Sequence, residues 1–152
     1  MSEADNRPVV YCYDGSEHAR EAIVAASRTL RPGPAYVVTV WRSAWSTVAA
    51  VPNAILSQDT VTEVDTAAED AASSIAGEGA ALIEGAKPQV LSDMGSVWRC
   101  ILDFADEHDA AVIVVGARGL GTLQSTMLGS VSHGLVNHSH RPVLVMPPVK
   151  HG

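Results

Sequence analysis

The chain has 152 residues, of which 47% are hydrophobic and 5% aromatic, a composition for one domain with an aliphatic core and too apolar for a disordered chain. Its formal net charge of −7 argues against nucleic-acid binding through a broad basic face, so no nucleic-acid partner is expected. Met1 to Pro8 carries no apolar signal segment, and the longest apolar run, Ala110 to Val115, is too short to span a bilayer, so a cytoplasmic protein without membrane attachment is expected.

Arg7 to Tyr13 is a short β-branched and aromatic run, read as a buried strand that ends at Asp14-Gly15-Ser16. Ser16 suits an N-cap, and Ala19, Ala22, Ile23, Ala26 and Leu30 follow at helical spacing until Pro32-Gly33-Pro34. Ala35 to Trp41 is a second buried strand. Arg42 to Gln58 is a largely uncharged connection whose Trp45 and Val48 to Leu56 stretch would form either a lid or a loop folded on the core.

Thr60-Val61-Thr62-Glu63 has the pattern of a capping box. A long helix follows, with Val61, Val64, Ala68, Ala72, Ile75, Gly79 and Leu82 as its apolar stripe, weakened at Gly77 and Gly79 and ended by Gly85 and Pro88. Gln89 to Leu91 is a short third strand, and Ser96 caps a third helix with Val97, Ile101, Leu102, Phe104 and Ala105 apolar. Ala110 to Val115 is the fourth strand, Ser130 opens a fourth helix, and Pro142 to Met146 is the last strand. Alternating strands and helices with unbroken apolar strands predict one α/β domain, residues 1–152, with a parallel sheet covered on both faces. Ligands bind such sheets beyond the carboxyl ends of the strands, where the strand order reverses.

Cys12 and Cys100 form no metal or redox spacing and are expected to be buried thiols. His133, His138 and His140 have no Asp, Glu or Cys at ligand spacing, so no metal site is expected there. From Ala110 to Gly152 there is no acidic residue, while Arg118, Arg141, Lys150 and four of the six histidines lie there. An anionic ligand is least repelled in such a segment.

Within it, Gly116-Ala117-Arg118-Gly119 follows the fourth strand, and Gly129-Ser130-Val131-Ser132 comes nine residues later. Gly116 lets backbone approach a ligand, Gly119 permits an anion-binding turn, and Gly129 opens the start of the next helix. Ser130 and Ser132 add hydroxyls, and the helix start adds free N–H groups and partial positive charge. Neither GxxxxGK[ST] nor GxGxxG is present. The plain alternative is that these glycines only turn the chain.

Gly116-x2-Gly119-x9-Gly129-Ser130 resembles the nucleotide-binding motif G-2x-G-9x-G-S/T of the universal stress protein family. Val9 to Ser16 is similar to that family's opening strand and its D-G-S turn, and Arg141 to Met146 to its final strand; Arg42 to Gln58 shows no match. By this resemblance the intact motif implies the ATP-binding branch of that family. The resemblance implies a Rossmann-like, adenine nucleotide alpha hydrolase-like domain with five parallel strands in the order 3-2-1-4-5.

It also implies a site. Asp14 would meet the ribose or phosphates, with Mg²⁺ as the cation suited to carboxylate and phosphate oxygens. Val40 and Val115 would hold or pack on the base, Arg118 would reach phosphate oxygens, and Val131 and Ser132 would offer backbone N–H groups. Each has a plain alternative: Asp14 as a turn residue, Val40 as core, Arg118 as a solvated arginine. No catalytic residue is identified, because hydrolysis needs a positioned base that Asp14 and Arg118 alone do not supply. The expectation is an ATP-binding regulatory protein of the stress response. The alternatives are an AMP or cyclic AMP binder, a slow ATPase, and an interaction module with structural nucleotide. A homodimer is expected through the last strand, where Val143, Val145, Pro147 and Val149 alternate along an edge.

Overall fold

In the computed structural model, which describes residues 5–53, 55–93, 95–118 and 128–149, the apolar runs pair side by side into one parallel sheet. The strands are β1 (Val9–Cys12), β2 (Ala35–Arg42), β3 (Ala86–Asp93), β4 (Val112–Gly116) and β5 (Val143–Met146). Their order is β3-β2-β1-β4-β5, as expected from the resemblance. Register runs from Val9 opposite Ala35 on one side of β1 and Val9 opposite Val112 on the other.

Between the strands lie α1 (Glu17–Thr29), α2 (Ala44–Ala50), α3 (Gln58–Ala81), α4 (Val97–Glu107) and α5 (Ser130–His138). Strand residues alternate between two cores, as period-2 geometry requires. Val10, Cys12, Val38, Ile113 and Val115 pack with Ile101 and Phe104 of α4 and Leu135 of α5. Tyr11, Tyr13, Val37 and Val114 pack with Ala19, Ile23 and Ala26 of α1 and Ala80 of α3. Helices therefore cover both faces.

Several local expectations change. The 42–58 connection holds a helix, α2, none of whose residues is buried. Ser43 caps it, and Asp65 of α3 accepts hydrogen bonds from Ser43 Oγ at 2.5 Å and Ala44 N at 2.7 Å. The N-cap of α3 is Ser57 rather than Thr60: its Oγ accepts from Thr60 N at 3.2 Å, so the helix starts three residues earlier than the Thr60-Glu63 pattern implied. Val64 is 51% exposed, not core. Apart from Val61, burial on α3 gathers at Ala72, Ala76, Gly79 and Ala80, in the half that lies on the sheet.

The third strand is eight residues long and contains Pro88. Proline is tolerated there because β3 is an edge strand, paired on β2 alone, where a missing N–H need not break a second ladder. The thiols differ: Cys12 is buried, whereas Cys100 is partly exposed, close to Ser92 O at 3.5 Å. At the N-terminal end of the sheet, Arg141 ties the connections around it together, donating to Asp106, Asp109 and the Ala110 carbonyl at 2.7, 3.0 and 2.7 Å. No helix among the described residues is long and apolar enough to cross a membrane.

Candidate functional site

Strands β1 and β4 are neighbours, yet the chain leaves β1 toward β2 on one side while β5 lies on the other. The sheet order reverses between them, which opens a crevice at their carboxyl ends. A cleft of about 280 Å³ occupies it. Its apolar wall is built from Val38 and Val40 of β2, Val115 of β4, Val97 and Ile101 of α4, and Val131 of α5. Its polar end carries Asp14, Gly116, Arg118, Gly129, Ser130 and Ser132. Nine of the ten residues singled out in the sequence thus line one cleft; the tenth, Gly119, lies outside the described residues.

Asp14 is held by the turn that follows β1. One carboxylate oxygen, Oδ1, accepts from Ser16 N at 3.0 Å and Ser16 Oγ at 2.6 Å. Gly15 makes this turn in the left-handed region, φ +83°, where a side chain would be strained. Ser16 Oγ in turn accepts from Ala19 N at 3.1 Å and caps α1. Both readings of Asp14 therefore coexist: it shapes the turn through Oδ1, while Oδ2 accepts no hydrogen bond among the described residues.

Across the cleft, α5 begins at Gly129, whose backbone is extended and which offers no side-chain cap. The first backbone bond into this helix runs from His133 N to Gly129 O at 2.9 Å. The N–H groups of Ser130, Val131 and Ser132 precede it and have no acceptor within the helix. Gly129 N itself donates to Ala117 O at 2.7 Å, which pins the helix start beside the end of β4. Ser132 is buried and its Oγ points at Ala117 O and Gly129 O, 3.1 and 3.0 Å away. Its hydroxyl proton thus closes the loop instead of facing a ligand, a correction to the expectation of two free hydroxyls. Ser130 is exposed at the rim.

Gly116 is closely packed: a Cβ there would sit 3.1 Å from His18 Cδ2 and 3.4 Å from Arg118 O. Cys12, at the floor of the cleft, is no nucleophile. Burial first, and the Asp14 charge second, push its thiol up to about 12. Tyr13 is also pushed up to about 12, by burial and then by its bond to Glu78 at 2.6 Å. Sequence reasoning missed Cys12, Tyr13, Ala19, Val38, Val97 and Ile101 as cleft residues; only the pairing of strands distant in sequence reveals them.

The candidate histidines serve α5. His133 Nε2 lies 2.9 Å from Asn137 Nδ2, and His138 Nδ1 lies 3.0 Å from Gly134 O. The His138 ring stacks on Trp98 of α4 at 4.2 Å. Among the described residues no three His, Cys, Asp or Glu side chains gather as a metal cluster.

Residues 5–147 match the sequence profile of the universal stress protein family. A Thermus aquaticus universal stress protein, encoded in the QAH/OAS sulfhydrylase 3′ region, is 29% identical over 140 residues, covering 92% of this chain and 98% of that one. The Mycobacterium tuberculosis universal stress protein Rv1996 is 48% identical over 40 residues, 26% of this chain; that match spans only 13% of the relative's length. Among solved structures, UspA from Lactobacillus plantarum aligns with a TM-score of 0.69 at 19% identity over 95% of this chain and 99% of its own. The Archaeoglobus fulgidus universal stress protein in complex with dAMP aligns at 0.54 and 25% identity, covering 91% and 96%. A universal stress protein in complex with cAMP aligns at 0.57 and 20% identity, covering 95% and 98%.

Proposed function

Because this chain belongs to the universal stress protein family, we propose that its cleft binds an adenine nucleotide, with ATP as the ligand and regulation of a cytoplasmic stress response as the role. The single observation that carries this reading is the uncapped start of α5 facing Asp14 across an aliphatic cleft. Three N–H groups without helical acceptors, together with the positive end of the helix dipole, form a ready anion site. Val40, Val115 and Val131 supply flat apolar contact for a base, and Arg118 adds positive charge at the phosphate end. Asp14 Oδ2 is the oxygen suited to the ribose or to a Mg²⁺ ion shared with phosphate, and Mg²⁺ supplies charge neutralisation there.

The A. fulgidus relative bound to dAMP supports the adenine half of this reading. The modest volume, about 280 Å³, favours a second reading in which a mononucleotide such as AMP or cyclic AMP is preferred. Among the described residues that line the cleft none stands as a general base beside Asp14, so turnover of ATP is expected to be slow or absent. We further propose one domain over residues 1–152 and a homodimer through β5, an edge strand paired on β4 alone and followed by the half-exposed Val149. A dimer mass by light scattering at micromolar concentration supports that pairing; a monomer removes it.

The deciding experiment is calorimetry on nucleotide-stripped protein, titrated with MgATP, AMP and cyclic AMP. Saturation near one ATP per chain, lost in Gly129→Asp, is the expected result. Tighter binding of a mononucleotide selects the second reading. A folded protein that binds none of the three would mean the glycines serve the turn alone.

A further inference from the structure

We infer that His18 is a contact for the phosphate groups of the nucleotide, an assignment that rests on the reading of the cleft given above. His18 is the second residue of α1 and stands four positions after Asp14. Its ring lies against the end of β4. An ideal Cβ on Gly116 would be 3.1 Å from His18 Cδ2 and 3.5 Å from Nε2. Gly116 and Ala19, its neighbours across and along the chain, both line the cleft.

Nε2 is buried, and it alone among the buried side-chain nitrogens and oxygens of the described residues has no hydrogen-bond partner there. Leaving such an atom without a partner costs about 1–3 kcal/mol, so folded chains hold one only where something else satisfies it. His18 itself does not line the cleft, but its ring stands beside Gly116, which does, and an imidazole N–H is a natural donor to a phosphate oxygen. Glycine at position 116 puts no side chain between this ring and that end. His18 was not singled out by the sequence, because a histidine in the first turn of a helix carries no motif; burial without a partner is what marks it.

The test uses the full-length, nucleotide-stripped chain and titrates ATP and adenosine in parallel. His18→Phe keeps a flat ring and removes the nitrogen, whereas His18→Gln keeps a donor nitrogen at similar reach. Loss of one charge-assisted hydrogen bond predicts ATP binding weaker by about tenfold in the Phe variant, since about 1.4 kcal/mol is tenfold in Kd. Adenosine affinity stays within about twofold, and the Gln variant recovers most of the ATP affinity. A ¹⁵N spectrum of wild-type protein gives a readout that needs no variant to fold: the His18 Nε2 signal moves with ATP and stays with adenosine.

Equal ATP affinity in wild type and the Phe variant overturns the assignment, as does an equal loss for ATP and adenosine, which a packing role would give. A His18 signal that moves alike with both ligands overturns it too. Wild-type protein that binds adenosine as tightly as ATP removes the phosphate contact and keeps the adenine cleft. Wild-type protein that binds neither removes the functional reading and this contact together.

Discussion

Two glycines on α3 convert the packing of the sheet into a signed prediction. Gly77 is exposed, and a Cβ there meets nothing within 4 Å. Gly79 is buried, and a Cβ there would lie 2.5 Å from Tyr13 Cδ1, 2.8 Å from Val37 Cγ1 and 2.9 Å from Tyr13 Cγ. Alanine in a helix interior gains about 1 kcal/mol over glycine at either position. At Gly77 nothing opposes that gain, so Gly77→Ala stabilises by about 1 kcal/mol and raises Tm by roughly 2–4 °C.

At Gly79 the same methyl meets an aromatic ring near its root and a valine that is 0% exposed, neither of which can swing aside. Overpacking of this kind costs typically about 1–3 kcal/mol. Displacing Tyr13 also strains its hydrogen bond to Glu78, worth about 1 kcal/mol at this half-exposed glutamate. The sum exceeds the helical gain, and Gly79→Ala is expected to destabilise by about 1–3 kcal/mol. Urea unfolding of both variants against wild type reads the two signs. Shifts in the same direction, or a Gly79→Ala midpoint at or above wild type, would refute the packing argument.

Tyr13 also sets an alkaline limit. Its folded value of about 12 exceeds the unfolded value near 10, so its contribution is complete below about pH 10 and is lost as pH rises toward 12. Tyr11, raised by burial, acts in the same direction. Tyr13→Phe should flatten the fall in Tm between pH 9 and 11; an unchanged slope speaks against the linkage. Cys12, buried and pushed up to about 12, should resist iodoacetamide in the native state and react only on unfolding, followed by mass spectrometry. Native modification at Cys12 would contradict its burial. Gly134→Ala would place a Cβ 2.3 Å from Trp98 Cδ1 and Cγ, so it should destabilise by about 1–3 kcal/mol. In a Trp98→Ala background most of that cost should vanish; additive effects in the double variant would exclude the clash.

The strands were legible because Val9 to Tyr13, Ala35 to Trp41 and Ala110 to Val115 are almost wholly apolar runs, the first two opening just after Pro8 and Pro34. The polar end of the cleft was legible because the spaced glycines Gly116 and Gly129, with Ser130, sit at the end of β4 and the start of α5, where they line it. The aliphatic wall was not, since Val38, Val97 and Ile101 look like any core residues until parallel pairing brings β2 and α4 to the same crevice. α2 was hidden because its cap is completed by Asp65, twenty-one residues beyond Ala44, a partner no local window contains. The α3 start was misread for a related reason: Ser57 and Thr60 both fit a cap, and the hydrogen bond from Thr60 N to Ser57 Oγ decides between them. Ser132 shows the opposite limit, where the residue type was right for the loop and the direction of its hydroxyl was fixed by Ala117 O.

The way α2 is fastened has a consequence for how the molecule opens. Its seven residues contribute nothing to either core, and the carboxylate of Asp65 holds its first turn. Two hydrogen bonds to a charged group amount to a few kcal/mol, well below the global stability of a domain this size. Segment 43–53 is therefore a separate unit of unfolding, able to detach and return while the sheet stays closed. Removing that carboxylate, as in Asp65→Ala, would release the first turn of α2 from α3 and leave both cores untouched.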